Sequence, residues 1–193
     1  RGAYGVFLQG LGRFPEAELA LGQARSRWPQ DSRLWIMGNG LLLESRQYAA
    51  AIEYLRDVTR RPASIPAAVV ERVARQHEAL ATGQGLASLN NDGRNVSAAT
   101  LMEQMPYPVT VAVLRGMKDQ AFDLLEAYFF GGEINGMHVP PPGSLDERFT
   151  VALFMPSMLT LRADSRYASL LERTGLEDYW RKSVPQPDFR RNT

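Results

Sequence analysis

The sequence has no cysteine and only two histidines among its 193 residues. Without cysteine there is no disulfide framework, no thiol nucleophile and no thiolate ligand for zinc, and such a composition suits the cytoplasm. His77 and His138 stand far apart in the chain, so they do not form the paired-histidine motif of metal hydrolases. We therefore expect a cytoplasmic, non-enzymatic protein with no catalytic residues, no metal site and no cofactor.

Long apolar runs and an excess of one charge are also missing. The most apolar stretch, at 109–114, is far shorter than the roughly 20 residues that span a bilayer. Basic and acidic side chains number 22 and 21, whereas nucleic-acid-binding domains usually gather a basic excess on one face. We expect neither a membrane segment nor direct binding of nucleic acid. The chain opens on Arg1 rather than Met, and we expect it to be a piece of a longer protein.

Residues of matching type do recur, 34 positions apart. An aromatic, a small, a large and a small residue match in order: Phe14 with Tyr48, Ala17 with Ala51, Leu21 with Leu55, and Ala24 with Val58. Spacings of three, four and three residues place each set on one face of an α-helix. An apolar stretch before each set predicts another helix, so each unit is predicted to be a helix pair with a break at Gly12 or Arg46. The small residue allows the two helices to approach closely.

Two more helix pairs are predicted in the first two thirds of the chain. The third consists of an amphipathic helix at 66–82 and a helix opened by Ser97, beyond a polar stretch at 83–95. The fourth consists of the apolar stretch after Pro108 and the segment 116–128, which repeats the small and large positions of the earlier pairs. About four helix pairs are therefore expected.

The 34-residue period, with Trp35, Tyr48, Ala51 and Leu55 in the second unit, resembles the tetratricopeptide repeat. The resemblance implies an all-α fold, a right-handed α-solenoid of about four antiparallel helix hairpins over residues 1–130, with the first hairpin cut short at its front. The lysine and asparagine set with which chaperone-binding members of the family hold a terminal carboxylate is absent at the matching positions. That function is therefore not carried over.

The last third of the chain does not repeat. Its glycines and prolines predict a loop at 131–148, followed by a helical cap at 149–193 that covers the apolar end of the solenoid. Within the cap, one short helix is predicted at 165–173, with Asp164 or Ser165 as its cap, and a second is predicted near 176–183.

This ending also resembles the C-terminal segment of tetratricopeptide-like regions attached to bacterial winged-helix transcriptional regulators and class III adenylyl cyclases. The matching elements are Arg162 and Asp164, Leu170 and Leu171, Gly175 and Leu176, the Tyr-Trp-Arg run at 179–181, and the Pro-Asp-Phe close at 187–189. The resemblance implies a module for signalling or transcription regulation that is covalently linked to a DNA-binding or cyclase domain. Arg190 stands where cysteine is common, which leaves no thiol chemistry at this end.

A stack of helix pairs has a concave face, lined mostly by the first helix of each pair, on which a peptide can lie. The residues predicted to line this face are Arg33, Ile36, Asn39, Leu43, Val70 and His77. The apolar members equally suit packing between neighbouring helices, and His77 suits an ordinary, partly exposed histidine. The first hypothesis is therefore a module that binds a protein or peptide partner.

Two alternatives come from other classes of function. The loop at 131–148 would bound a small-molecule pocket, with Met137, His138 and the neighbouring prolines as one wall. Self-association as a homodimer, through an apolar groove or through the front edge of the first unit, is the third hypothesis.

Overall fold

The computed structural model describes residues 2–84, 107–134, 136–144 and 148–182. Within these ranges the chain is mostly helical, as the all-α prediction requires. The α-helices are α1 Gly2–Gly10, α2 Phe14–Arg27, α3 Ser32–Glu44, α4 Tyr48–Arg56, α5 Ala67–Thr82, α6 Tyr107–Leu114, α7 Lys118–Phe130, α8 Ser165–Arg173 and α9 Leu176–Lys182. The predicted helix at Ser97, most of the polar stretch before it and the close at 187–189 lie outside the described residues.

Three of the turns between helices share one backbone geometry. Gly12, Arg46 and Gly116 follow α1, α3 and α6 with φ of 71°, 58° and 74°. Each of the three donates its N–H to the carbonyl three residues earlier, and the following residue donates to the carbonyl five residues earlier. This is the Schellman motif, in which a left-handed residue satisfies the last carbonyls of a helix. The predicted breaks at Gly12 and Arg46 are therefore confirmed, and the same turn occurs at Gly116.

The helices after these turns bury the residues that the repeat pattern selects. Each of them begins two residues after the left-handed position, at Phe14, Tyr48 and Lys118. The small and large positions are all buried: Ala17, Ala51 and Ala121, and Leu21, Leu55 and Leu125. Along the chain α1 contacts α2, α2 contacts α3, α3 contacts α4, α4 contacts α5, and α6 contacts α7, while α1 also contacts α3. The repeated sequence positions thus supply the contacts between successive helices.

The prediction for Val58 is wrong. It was matched to the buried Ala24, but α4 ends at Arg56 and the Val58 side chain is 70% exposed. The carboxylate of Asp57 accepts hydrogen bonds from the N–H and the hydroxyl of Thr59. These bonds stabilise a turn in place of further helix, so the second unit ends its apolar stripe earlier than the first.

Two helix starts have aspartate caps, of which the cap at Asp164 is confirmed as predicted. The Asp31 carboxylate accepts the N–H of Arg33 at 2.9 Å, and the Asp164 carboxylate accepts the N–H of Arg166 at 3.1 Å. Such caps satisfy amide groups that have no partner within the helix. The helix predicted at 165–173 has the predicted bounds, and the one predicted near 176–183 ends at Lys182.

The predicted loop at 131–148 contains regular structure. Strand β1 (Gly132–Ile134) pairs antiparallel with β2 (Met137–Val139), with Gly132 opposite Val139 and Ile134 opposite Met137. The sequence between the strands is Asn-Gly, a strong signal for a tight hairpin, and Gly136 has φ of 78°. The proline-rich composition of the whole stretch concealed this local signal.

The predicted cap divides into two parts. Residues 150–160 form two 3₁₀-helices, Thr150–Phe154 and Pro156–Thr160, of which the first contacts α1 and the second contacts α6. We call residues 150–160 the return segment, because they bring the chain back to its first helix. Within the described residues after it, α8 and α9 form a helical pair.

Helix α8 is held against α7 by two equivalent groups of side chains. Each consists of an arginine of α8 that lies over a phenylalanine ring of α7 and pairs with a carboxylate of α7. They are Arg166 with Phe122 and Asp119, and Arg173 with Phe130 and Glu126. The guanidinium carbons lie 4.1 and 3.8 Å from the two ring centroids. Combined cation–π and ionic contacts therefore fix α8 along its polar side.

Candidate functional site

Three distant parts of the chain meet at Glu44, the last residue of α3. One carboxylate oxygen accepts the N–H of Ser157 at 2.9 Å. The other accepts the hydroxyls of Ser157 and Thr110, at 2.8 and 2.7 Å. Because Ser157 belongs to the return segment and Thr110 to α6, this single carboxylate joins α3, α6 and the return segment. We call the three residues the Glu44 clasp.

The clasp compensates for the burial of its acidic group. Glu44 is only 6% exposed. Burial raises the pKa of Glu44, while the hydrogen bonds from Thr110 and Ser157 and the charge of Arg46 act in the opposite direction. A buried carboxylate is costly unless its oxygens are hydrogen-bonded. The clasp therefore holds the return segment in a defined position against the end of α3.

The structure separates the predicted face residues into two groups. The Arg33 side chain is 83% exposed and pairs with Asp31, and Ile36 is half-buried. The other four are buried: Asn39, Leu43, Val70 and His77. Buried side chains are not available to a partner in this conformation. Only Arg33 and Ile36 reach the surface from this set.

The expectation that His77 is partly exposed is wrong. It is fully buried on α5, and burial lowers its pKa to about 4. The Tyr107 hydroxyl lies 3.3 Å from Nε2 of His77, and burial raises the pKa of Tyr107. The imidazole is therefore neutral at physiological pH and belongs to the contact between α5 and α6.

The predicted pocket residues lie on the β-hairpin. Met137 and His138 are consecutive residues of β2. The His138 side chain is 69% exposed, and its Nδ1 lies 3.1 Å from the Glu133 carboxylate of the paired strand. The structure thus places His138 in a solvated cross-strand contact rather than in the wall of an enclosed pocket.

A cavity that sequence reasoning missed lies between α2, α3 and α4. Its volume is about 440 Å³. It is lined by charged, aromatic and aliphatic residues: Glu18, Arg25, Gly38, Leu41, Leu42, Ala50, Glu53, Tyr54, Asp57 and Arg60. We call it the Arg25 cleft. A signal was present in the sequence, since Gly38 lies within a helix, where glycine costs about 1 kcal/mol relative to alanine.

The geometry of the Arg25 cleft explains this glycine. The guanidinium carbon of Arg25 lies 5.1 Å from the Tyr54 ring centroid, and the Tyr54 hydroxyl donates to the Trp35 carbonyl at 3.0 Å. A β-carbon on Gly38 would lie 2.7 Å from the Tyr54 hydroxyl oxygen and would also collide with the Arg25 guanidinium. Glycine therefore allows both groups to sit directly against α3.

Comparison of the chain with models of protein families, with curated proteins and with solved structures yields no significant match. Within the described ranges, no group of three or more histidine, aspartate or glutamate side chains is placed to hold a metal ion. In the same part of the chain, no helix is both long enough and apolar enough to cross a bilayer.

Proposed function

We propose that the chain is a tetratricopeptide-like α-solenoid that acts without catalysis as a cytoplasmic module for binding a protein or peptide partner. Its support is the equivalence of the turns after α1, α3 and α6, together with the buried alanines and leucines that follow each of them. The resemblance of the C-terminal segment extends the proposal to a larger bacterial signalling or transcription-regulatory protein, with a covalently linked DNA-binding or cyclase domain.

The observation that carries the proposal is the position of the return segment. It contacts α1 and α6 and is hydrogen-bonded to Glu44, so a stretch of polypeptide already packs against α1 and the C-terminal end of α3. Toward the other end of α3, Arg33 and Ile36 remain at the surface, about 16 and 12 Å from Glu44 along the helix axis. This open end of α3 is the place proposed for a partner segment.

The proposal is tested by capture of proteins from a lysate of the source organism on the immobilised full chain. Arg33→Glu reverses the charge at the open end of α3, and Arg27→Glu makes the same change at an exposed position of α2. A partner that binds where proposed is retained by the Arg27→Glu protein and lost by the Arg33→Glu protein. Equal capture by both variants would contradict the proposed location.

Self-association is a second candidate because α1 carries an exposed apolar stripe. Tyr4 and Phe7 of α1 and Leu11 of the turn after it are 58%, 60% and 53% exposed and follow one another at helical spacing. If this stripe pairs two copies, light scattering gives a dimer mass for the wild type and a monomer mass for Phe7→Glu. A monomeric wild type would rule this candidate out.

A further inference from the structure

The Arg25 cleft contains charges that no ion pair neutralises. Among residues 2–84, which include the whole cleft, Arg60 pairs with Asp57 at 3.0 Å, whereas Arg25, Glu18 and Glu53 take part in no ion pair. Arg25 is half-buried, and the two glutamates are exposed at the rim. A guanidinium and two carboxylates therefore line the cavity without forming ion pairs with one another.

The position of Arg25 is fixed by its surroundings. Its guanidinium lies over the Tyr54 ring and against the bare backbone of Gly38. Both neighbours leave the charge intact, since an aromatic face attracts a cation without neutralising it. A planar guanidinium held in this way is suited to bidentate recognition of a carboxylate.

We propose that the Arg25 cleft binds a free α-amino acid with an aliphatic side chain. The ligand carboxylate contacts Arg25, the ammonium group lies near Glu18 and Glu53, and the side chain packs on Leu41 and Leu42. A volume of about 440 Å³ lies within the range of about 300–1,000 Å³ for small-molecule sites. This binding activity goes beyond partner recognition, because neither Arg33 nor Ile36 lines the cleft.

The first test uses the wild-type full chain and ligands that lack one charge. Titration calorimetry is carried out with L-leucine, L-valine and L-methionine, each beside its N-acetyl derivative and the amine that lacks the carboxylate. We expect at least one amino acid to bind, and we expect removal of either charge to weaken binding about tenfold or more. No binding by any of the three, or equal binding of an amino acid and its two analogues, would overturn the proposal.

Variants test the location of the ligand. Arg25→Gln is expected to weaken binding of the amino acid by about tenfold to a hundredfold, whereas the matched Arg27→Gln on the same helix leaves it unchanged. Gly38→Ala provides a second variant, because its methyl group would collide with the Arg25 guanidinium and the Tyr54 hydroxyl. Displacement of Arg25 is expected to weaken binding of the amino acid as well. Circular dichroism shows whether each variant is folded. Unchanged affinity in folded Arg25→Gln would overturn the assignment. The capture of a protein partner, which Arg33→Glu tests, does not depend on this result.

Discussion

His77 of α5 is a buried, neutral histidine in contact with Tyr107 of α6, and its burial has a consequence for the pH dependence of stability. Its pKa is about 4 in the folded protein, against an ordinary value of 6.5. Between these two values the unfolded chain binds more protons than the folded chain, so stability falls as the pH falls through this window. The contribution of neutral His77 is complete above pH 6.5.

A non-titrating variant isolates this effect. From pH 7 to pH 4, the free energy of unfolding of the wild type is expected to fall by about 3 kcal/mol more than that of His77→Gln. Urea unfolding at a series of pH values measures the difference, and the raised pKa of Glu44 affects both proteins alike. Parallel curves for wild type and His77→Gln would contradict the burial of His77.

Glu44 has a structural role that a conservative substitution can test. In Glu44→Gln an amide NH₂ group replaces one acceptor oxygen, so at least one of the donors from Ser157 and Thr110 loses its partner. We expect the free energy of unfolding to fall by about 1–3 kcal/mol. The matched change Glu172→Gln, at an exposed position of α8, should alter it by less than about 0.5 kcal/mol. A Glu44→Gln protein as stable as the wild type would contradict the clasp.

The residues of the candidate sites were only partly predictable. The pattern places Leu43 and Val70 correctly on helices, but periodicity does not show which later segment covers a helix face. Glu44 and Ser157 are separated by 113 positions, and no local signal links residues so far apart. Asp31 and Asp164 were predictable as caps because a cap acts within two or three residues.

At the scale of elements, the turn after α3 differs from its two counterparts in one respect. Arg46 has φ of 58°, where the other two turns have glycine. A left-handed conformation costs a residue with a β-carbon roughly 1–2 kcal/mol, whereas glycine adopts it readily. The second unit therefore retains the left-handed turn although arginine adopts this conformation less readily than glycine.

Exchange of residue types between equivalent turns tests this equivalence. Arg46→Gly is expected to raise the free energy of unfolding by about 0.5–1 kcal/mol, after the added flexibility of the unfolded chain is included. Gly116→Ala, the reverse change at the third turn, is expected to lower it by about 1 kcal/mol. Thermal or urea unfolding measures both. A destabilised Arg46→Gly protein would show that the turns are not equivalent.

Elements were the most predictable level of the structure. Helix starts and breaks depend on caps, left-handed turns and apolar spacing, all of which are local in sequence. The β-hairpin also had a local signal, the Asn-Gly turn, which the prolines around it obscured. The end of α4 was missed because the turn formed by Asp57 and Thr59 overrides the continuation of the apolar stripe to Val58.

At the scale of the whole molecule, the return segment connects helices that are distant in sequence. One buried cluster includes Trp35 with residues of α4 and α5, and another includes Trp180 with residues of α6, α7 and the return segment. Arrays of repeats unfold in parts when neighbouring units are weakly coupled. Here the Glu44 clasp joins α3, α6 and the return segment through hydrogen bonds.

The two clusters are therefore expected to unfold together. In Trp180→Phe, fluorescence reports on Trp28 and Trp35 alone, whereas far-ultraviolet circular dichroism reports on all helices. The urea midpoints of the two signals should coincide, as they do in a single cooperative transition. Ser157→Pro removes the N–H that Glu44 accepts and should separate the midpoints. Separate midpoints in the Trp180→Phe protein itself would contradict the coupling.

Our main proposal is that this protein binds a partner at the open end of α3. It is tested most directly by quantitative mass spectrometry of proteins captured by Arg33→Glu and by Arg27→Glu, two variants with the same change in charge. We expect a captured protein whose yield with Arg33→Glu is about a tenth or less of its yield with Arg27→Glu. A ratio of one for every captured protein would contradict it.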